Sequence, residues 1–322
     1  MTHAVRDHIP VLPEEVLTHL APKPGGKYLD GTVGLGGHTG RILDAAPESV
    51  VLGLDRDTEA LAVAKERLGR FGNRAVLRHS RFSEFARYLD ELGWETIDGA
   101  LVDIGVSSLQ LDSPERGFSF LHDGPLDMRM DATGGETGHV LPPASALVNK
   151  APIGVLKELI AKAGEEPQAG RIARAIVDAR MKKPIETTGE LAAIVEQAYP
   201  AKWRAMARNH PATRTFQALR TAVNNEFGEL SVFLENVVPR LAIGARVVVI
   251  SFHSLEDRIV KHFFREEAQG CRCPRHVPVC ICKHKPSLAV VTKKPVTATA
   301  VELAANSRSS SAKLRAAERV GG

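Results

Sequence analysis

Short apolar runs and helically spaced apolar positions alternate along the first hundred residues. Lys27-Tyr28-Leu29-Asp30, Val50-Val51-Leu52-Gly53-Leu54-Asp55, residues 75–78 and residues 97–104 read as β-strands ending in polar or glycine-rich residues. Between them, 58–68 place Leu61, Ala64, Lys65 and Leu68 at helical spacing behind an Asp57 N-cap. Residues 83–92 put Phe85, Leu89 and Leu92 on one face, with Ser83 before them and Gly93 as a stop. This order predicts an α/β fold of βαβ units, a Rossmann-like, parallel, doubly wound sheet. Its ligand crevice belongs at the carboxyl ends of the strands.

The alternation breaks after Ile104. A Gly/Pro/Asp-rich stretch runs to about residue 143, and helical spacing follows at 152–163, 168–181 and 188–199. The last of these opens on Thr187-Thr188-Gly189-Glu190, a capping-box pattern. Residues 112–210 therefore read as a mainly helical insertion dividing a core of 1–111 and 211–322. From 213 to 241, Phe216, Leu219, Val223, Phe227, Leu230, Leu234, Val237 and Leu241 recur every three or four residues. That spacing predicts one long helix, stopped at Gly244. Residues 246–251 read as a fifth strand, and Ser254 starts a helix with Ile259, Val260, Phe263 and Phe264 on its apolar side. Residues 288–292 read as a sixth strand, while 311–320 fit a strand or a short helix equally.

Length and composition bound the picture. A chain of 322 residues, 43% hydrophobic, suggests about two globular domains. No apolar run approaches a membrane span, and the first twenty residues have no signal-peptide core, so a cytoplasmic protein without a membrane partner is expected. Net charge is only +4, yet from residue 258 onward thirteen Lys and Arg face four Asp and Glu. This basic segment reads either as a phosphate-binding face or as a solvated tail. With 5% aromatics, a broad base-stacking platform is not expected.

The candidate chemistry sits on the turn after the first strand. Asp30-Gly31-Thr32-Val33-Gly34-Leu35-Gly36-Gly37 lets a ligand approach the backbone and aims helix-start amides at an anion. Thr39 stands where a dinucleotide fingerprint needs its third glycine, and no P-loop Gly-Lys-Ser/Thr occurs. Acids instead close the first, second and fourth strands: Asp30, Asp55 and Asp103. That layout suits S-adenosylmethionine, with Asp30 toward its ammonium, Asp55 toward the ribose diol and Asp103 toward the adenine or methionine part. Phe82 is placed to lie against the adenine. The plainer reading has each acid capping a turn or helix, and three at successive strand ends weigh against it. A dinucleotide-dependent oxidoreductase shares the fold and the Asp55 logic, but the third glycine is missing.

Longer blocks carry a resemblance over nearly the whole chain. They are His8-Ile9-Pro10-Val11-Leu12, Asp30-Gly31-Thr32 through Gly36-Gly37-His38, and Asp103-Ile104-Gly105-Val106-Ser107-Ser108-Leu109-Gln110-Leu111-Asp112. Glu115-Arg116-Gly117-Phe118-Ser119-Phe120, Gly124 to Asp131, Gly164-Glu165-Glu166 and Arg171-Ile172-Ala173 follow. The last are His210-Pro211-Ala212-Thr213-Arg214-Thr215-Phe216-Gln217, Ser251-Phe252-His253-Ser254-Leu255-Glu256-Asp257-Arg258 and Ser311-Ala312-Lys313-Leu314-Arg315. In these the chain resembles the ribosomal RNA small-subunit methyltransferase H family. The resemblance implies a class I S-adenosylmethionine-dependent methyltransferase core with an inserted helical domain. It also implies methylation of the exocyclic N4 of a cytosine in the decoding region of 16S rRNA, on the RNA or a small-subunit particle. By the same resemblance the cofactor contacts fall on Gly36, Gly37, His38, Asp55, Phe82, Asp103 and Gln110, of which His38 and Gln110 come from it alone.

A cytosine amine is a poor nucleophile, so the enzyme must align it and accept its hydrogen bonds as it pyramidalises. The Pro-Pro-aromatic turn common in amino-methyltransferases is absent after the fourth strand. Residues 103–110 take its place, with Ser107 and Ser108 as candidate acceptors and His253 nearby, or else holding a strand end. Arg129, Arg214, Arg220, Arg258 and Lys261 are candidate phosphate contacts, or plain surface charges. Cys271-x-Cys273 and Cys280-x-Cys282 fit either a tetrahedral zinc site or reduced thiols without metal. With the basic segment, the cysteines also suit a non-catalytic, zinc-stapled RNA-binding protein.

Overall fold

The computed structural model describes residues 9–133, 141–206, 209–271, 273, 279, 282 and 285–321. The chain divides into two compact units, one of Met1–Gly105 with Gly228–Gly322, the other of Val106–Phe227.

The first unit is built on a seven-stranded sheet in the order β3-β2-β1-β4-β5-β7-β6. Its strands are β1 (Lys27–Asp30), β2 (Val50–Asp55), β3 (Ala75–His79), β4 (Ile97–Asp103), β5 (Leu241–Ser251), β6 (Leu288–Val290) and β7 (Lys313–Arg319). Strands β1 to β5 pair in parallel. The helices of this unit are α1 (Pro13–Leu20), α2 (Gly37–Ala45), α3 (Thr58–Leu68) and α4 (Phe85–Glu91), then later all but the start of α12 (Glu226–Arg240), α13 (Ser254–Glu267) and α14 (Ala300–Ala305). The period of two along each strand sends neighbours to opposite faces. Leu29, Leu52, Val102 and Val249 enter one apolar cluster, while Tyr28, Val51, Leu101 and Val248 enter another. Both faces are therefore covered, as a parallel sheet requires. Full burial stabilises each such side chain by about 1.5–3 kcal/mol. Asp57 caps α3 as its position predicts, accepting from the Glu59 and Ala60 amides.

Three sequence expectations are corrected. Residues 313–319 form a strand, and it runs antiparallel to both β5 and β6, so the sheet is not wholly parallel. The helix expected over 213–241 is two helices, α11 (Thr213–Val223) and α12 (Glu226–Arg240). Asn225 breaks it at a φ of 50°, a conformation asparagine tolerates better than most side chains. Asn224 beside it turns inward, accepting from the Met130 amide and donating to the Met128 carbonyl. The fifth strand begins at Leu241, not 246, and Gly244 lies inside it rather than after a helix.

The second unit contains α5 (Ser108–Asp112), α6 (Ala144–Lys150), α7 (Ile153–Ala163), α8 (Ala169–Arg180), α9 (Thr188–Ala198), α10 (Ala201–Met206) and α11, and α12 starts at its end. Leu156, Ile160, Ile172, Ile176, Leu191, Phe216 and Leu219 are buried in one cluster. Thr187 and Glu190 form the capping box that opens α9. The apolar face of α11 (Phe216, Leu219, Val223) is buried in this cluster, within the compact unit Val106–Phe227.

Candidate active site

In the first unit the glycine turn is pinned between three strand ends. Thr39 Oγ1 donates to Asp30 Oδ2 at 2.6 Å, and the Thr32 amide donates to Asp30 Oδ1 at 3.1 Å. Thr32 Oγ1 accepts from the Asp103 amide at 2.6 Å, tying the turn to the end of β4. The Val33 amide donates to the Leu54 carbonyl, and the Gly34 amide to Asp55 Oδ2 at 2.7 Å, tying it to β2. Gly36 then caps α2 at a φ of 83°, where a side chain would be strained. At Gly53 a Cβ would lie 2.5 Å from Val33 Cγ2, so only glycine lets the turn lie on β2.

This placement changes the role expected of Asp30. It is 0% exposed with both carboxylate oxygens engaged, so it shapes the turn and does not reach an ammonium directly. Burial pushes its pKa up, opposed by the Thr39 hydrogen bond and the nearby His38. Thr32 and Thr39 are positioning residues that sequence reasoning passed over, because a threonine in a turn carries no signal of its partner.

Asp55 is only partly buried at the end of β2. Its second oxygen, Oδ1, accepts from the Asp57 amide at 2.9 Å. Desolvation pushes its pKa up to about 6 against the pull of the Asp57 and Gly34 amides. Across β1, Asp103 Oδ2 lies 3.8 Å from His38 Nε2, in the first turn of α2. Buried Asp103 Oδ1 and both ring nitrogens of His38 have no hydrogen-bond partner among the described residues. Buried polar atoms are normally paired, so these mark a place for a polar ligand. Phe82 is 6% exposed and packs edge-on against Phe233 at 5.6 Å, which leaves little ring for an adenine.

His253 is the N-cap residue of α13. Its Nε2 lies 3.0 Å from Glu256 Oε1, while Glu256 Oε2 accepts from the Phe252 and His253 amides. The Glu256 carboxylate therefore joins a strand end to a helix start through the two amides. His253→Gln keeps a donor toward Glu256 and is expected to hold stability within about 1 kcal/mol, whereas His253→Ala should lose about 1–3 kcal/mol. Urea unfolding of the two variants checks this. Turnover lost in a fully stable His253→Gln would show a chemical role instead.

In the second unit, Ser107 and Gln110 are engaged with each other. Ser107 Oγ accepts from the Gln110 amide at 3.2 Å, and Gln110 Oε1 accepts from the Ser107 amide at 3.0 Å. Buried Ser108 Oγ has no partner among the described residues. Two candidate phosphate ligands hold carboxylates. Arg129 holds Asp127 through two bonds of 2.8 and 2.6 Å, which pushes its pKa up. Arg220 holds buried Glu226 through bonds of 2.7 and 2.8 Å. Arg214 is exposed and donates to the Glu165 carbonyl, while on α13 of the first unit Arg258 is exposed and Lys261 half-buried. Cys271, Cys273 and Cys282 come together, and Cys280 lies outside the described residues. No helix among the described residues is long and apolar enough to cross a membrane.

The model of the MraW methylase family matches residues 5–320. The ribosomal RNA small subunit methyltransferase H of Oleidesulfovibrio alaskensis is 60% identical over 99% of this chain and 97% of its own. That of Nitratidesulfovibrio vulgaris is 64% identical over 97% and 95%. A crystal structure of an rRNA methylase from Streptococcus thermophilus is a distant likeness, with a TM-score of 0.41 and 10% identity over 95% of this chain and 93% of that one. With matching sequence over nearly its full length, the chain belongs to the MraW methylase family.

Proposed function

We propose that this chain transfers the methyl group of S-adenosylmethionine to the exocyclic N4 of a cytosine in the decoding region of 16S rRNA, acting in the cytoplasm on the RNA or on a small-subunit particle. The observation that carries the reading is the unpartnered pair His38 and Asp103, set beside the glycine turn and Asp55 at the carboxyl ends of β1, β2 and β4. Two carboxylates, an imidazole and the amides of a helix start fit a ligand bearing a diol, an ammonium and a carboxylate. Bound there, S-adenosylmethionine supplies an electrophilic methyl group on a sulfonium.

Asp55 would accept from the ribose hydroxyls. Asp103 and His38 would hold the polar methionine end, with the Gly36 and Gly37 backbone alongside. Phe82 would offer a ring edge rather than a face. Residues 103–110, continuing from β4, would accept the amine hydrogen bonds through backbone carbonyls and the Ser108 hydroxyl. Ser107 is the weaker acceptor, since its hydroxyl already caps α5. No strong base is needed, because the amine becomes acidic only as it is alkylated.

Arg214 and Arg258, both exposed, and half-buried Lys261 would contact phosphate, while Arg129 and Arg220 hold carboxylates. A paired or stacked cytosine must be turned out to react. Arg258→Ala and Lys261→Ala should each lower the salt slope of RNA affinity by about one, with S-adenosylmethionine affinity unchanged. Binding isotherms at several salt concentrations check this, and unchanged slopes would remove α13 from the RNA face. The reaction itself is tested by transfer of labelled methyl from S-adenosylmethionine into small-subunit particles; label that stays out of the RNA would overturn the reading.

A further inference from the structure

The segment between α13 and β6 is basic and cysteine-rich in sequence. Its neck is closed where the Ser287 amide donates to the Glu267 carbonyl at 2.9 Å and Ser287 Oγ donates to the Glu267 carboxylate. Between these residues the sequence has Arg272, Arg275, Lys283 and Lys285 and not one Asp or Glu. Apolar burial does not anchor it at Val279, which is 71% exposed. Long loops without secondary structure are uncommon in compact domains unless something fixes them.

Three sulfurs meet in this loop. The Sγ atoms of Cys271, Cys273 and Cys282 all lie within 4.8 Å of one another, and Cys271 Sγ is 3.9 Å from Cys282 Sγ. A disulfide would need about 2.05 Å. A tetrahedral thiolate site with metal–sulfur bonds of about 2.3 Å has sulfur–sulfur edges of about 3.8 Å. The observed spacing fits the edge of such a site and is far from a covalent bond. Cys271 and Cys282 bracket the loop, so joining them through an ion closes it a second time, inside the neck at Glu267 and Ser287.

We propose that Cys271, Cys273 and Cys282 bind a thiophilic divalent cation, zinc, that pins this basic loop. Each cysteine gives up its thiol proton as its sulfur–zinc bond forms, no electron is transferred, and the zinc remains in the divalent state. The site belongs to the loop and takes no part in holding the methyl donor.

The full chain, purified with reductant and without chelator, is expected to carry about one zinc per molecule by elemental analysis. After chelator stripping, cobalt(II) should restore one equivalent and give the near-ultraviolet thiolate-to-cobalt charge-transfer absorption. Cys271→Ser and Cys282→Ser should lose both signals while retaining S-adenosylmethionine binding by calorimetry. Zinc far below one per chain with no charge-transfer band from cobalt would overturn the proposal. So would full zinc occupancy in both serine variants, or a Cys271–Cys282 disulfide in the reduced-buffer preparation. The cobalt arm uses the unaltered chain, so it decides the matter even if a variant fails to fold.

Discussion

Asp55→Asn is expected to weaken S-adenosylmethionine binding about a hundredfold, which corresponds to two hydrogen bonds to a charged acceptor at about 1.5 kcal/mol each. The two oxygens of Asp55 already serve the Gly34 and Asp57 amides. An asparagine offers one acceptor and presents its NH₂ to the other donor, so the turn loosens as the ribose contact is lost. The same residue sets a pH dependence. Its carboxyl titrates at about 6 without ligand, and a bound cationic sulfonium and two hydroxyl donors favour the ionised form. The ligand therefore prefers the deprotonated site. Affinity should be full above pH 6 and fall about tenfold per unit below it, until the lower pKa of the complex is reached. Calorimetry at pH 6 in buffers of different ionisation enthalpy should detect proton release on binding. A flat profile in the unaltered chain, or an Asp55→Asn chain with normal affinity, would remove Asp55 from the cofactor site.

The second large effect concerns stability. Arg220→Ala should destabilise the second unit by about 3 kcal/mol, because Glu226, 4% exposed, is left charged without its bidentate partner. Replacing both residues with apolar ones of similar volume, Arg220→Met with Glu226→Leu, should recover most of the loss. The pair of experiments separates two roles. If Arg220 only braces α11 against the start of α12, the double variant regains both stability and RNA affinity. If Arg220 grips phosphate, the double variant folds and still binds RNA weakly. Urea midpoints together with RNA isotherms distinguish them.

The sheet and most helices are legible in the sequence because burial on both faces of a parallel strand leaves compact apolar runs. Helix spacing and caps such as Asp57 and Thr187 mark what lies between. The direction of β7 is not legible, since Leu314, Ala316 and Ala317 would be buried whichever way the strand ran. Nor is the break at Asn224 and Asn225, because Phe216, Leu219 and Val223 before it and Leu230, Leu234 and Val237 after it keep one apolar spacing on two separate helices. At the site, acids closing three strands are visible as letters. That Asp30 is shut inside the turn while Asp103 retains an unpaired oxygen depends on Thr32 and Thr39, whose partners only the fold reveals. The same holds for Arg129, whose partner is two residues away across the left-handed Met128, and for Arg220, whose partner is six residues on.

The central claim is a methyl group on one cytosine amine. Small-subunit particles lacking that modification, incubated with the chain and methyl-labelled S-adenosylmethionine, can be digested to nucleosides and separated, with the labelled fragment mapped along the 16S rRNA. Label is expected in N4-methylated cytidine from a single site in the decoding region, absent with Asp55→Asn at the same donor concentration. Label in another nucleoside, or in cytidine outside that region, would contradict that claim.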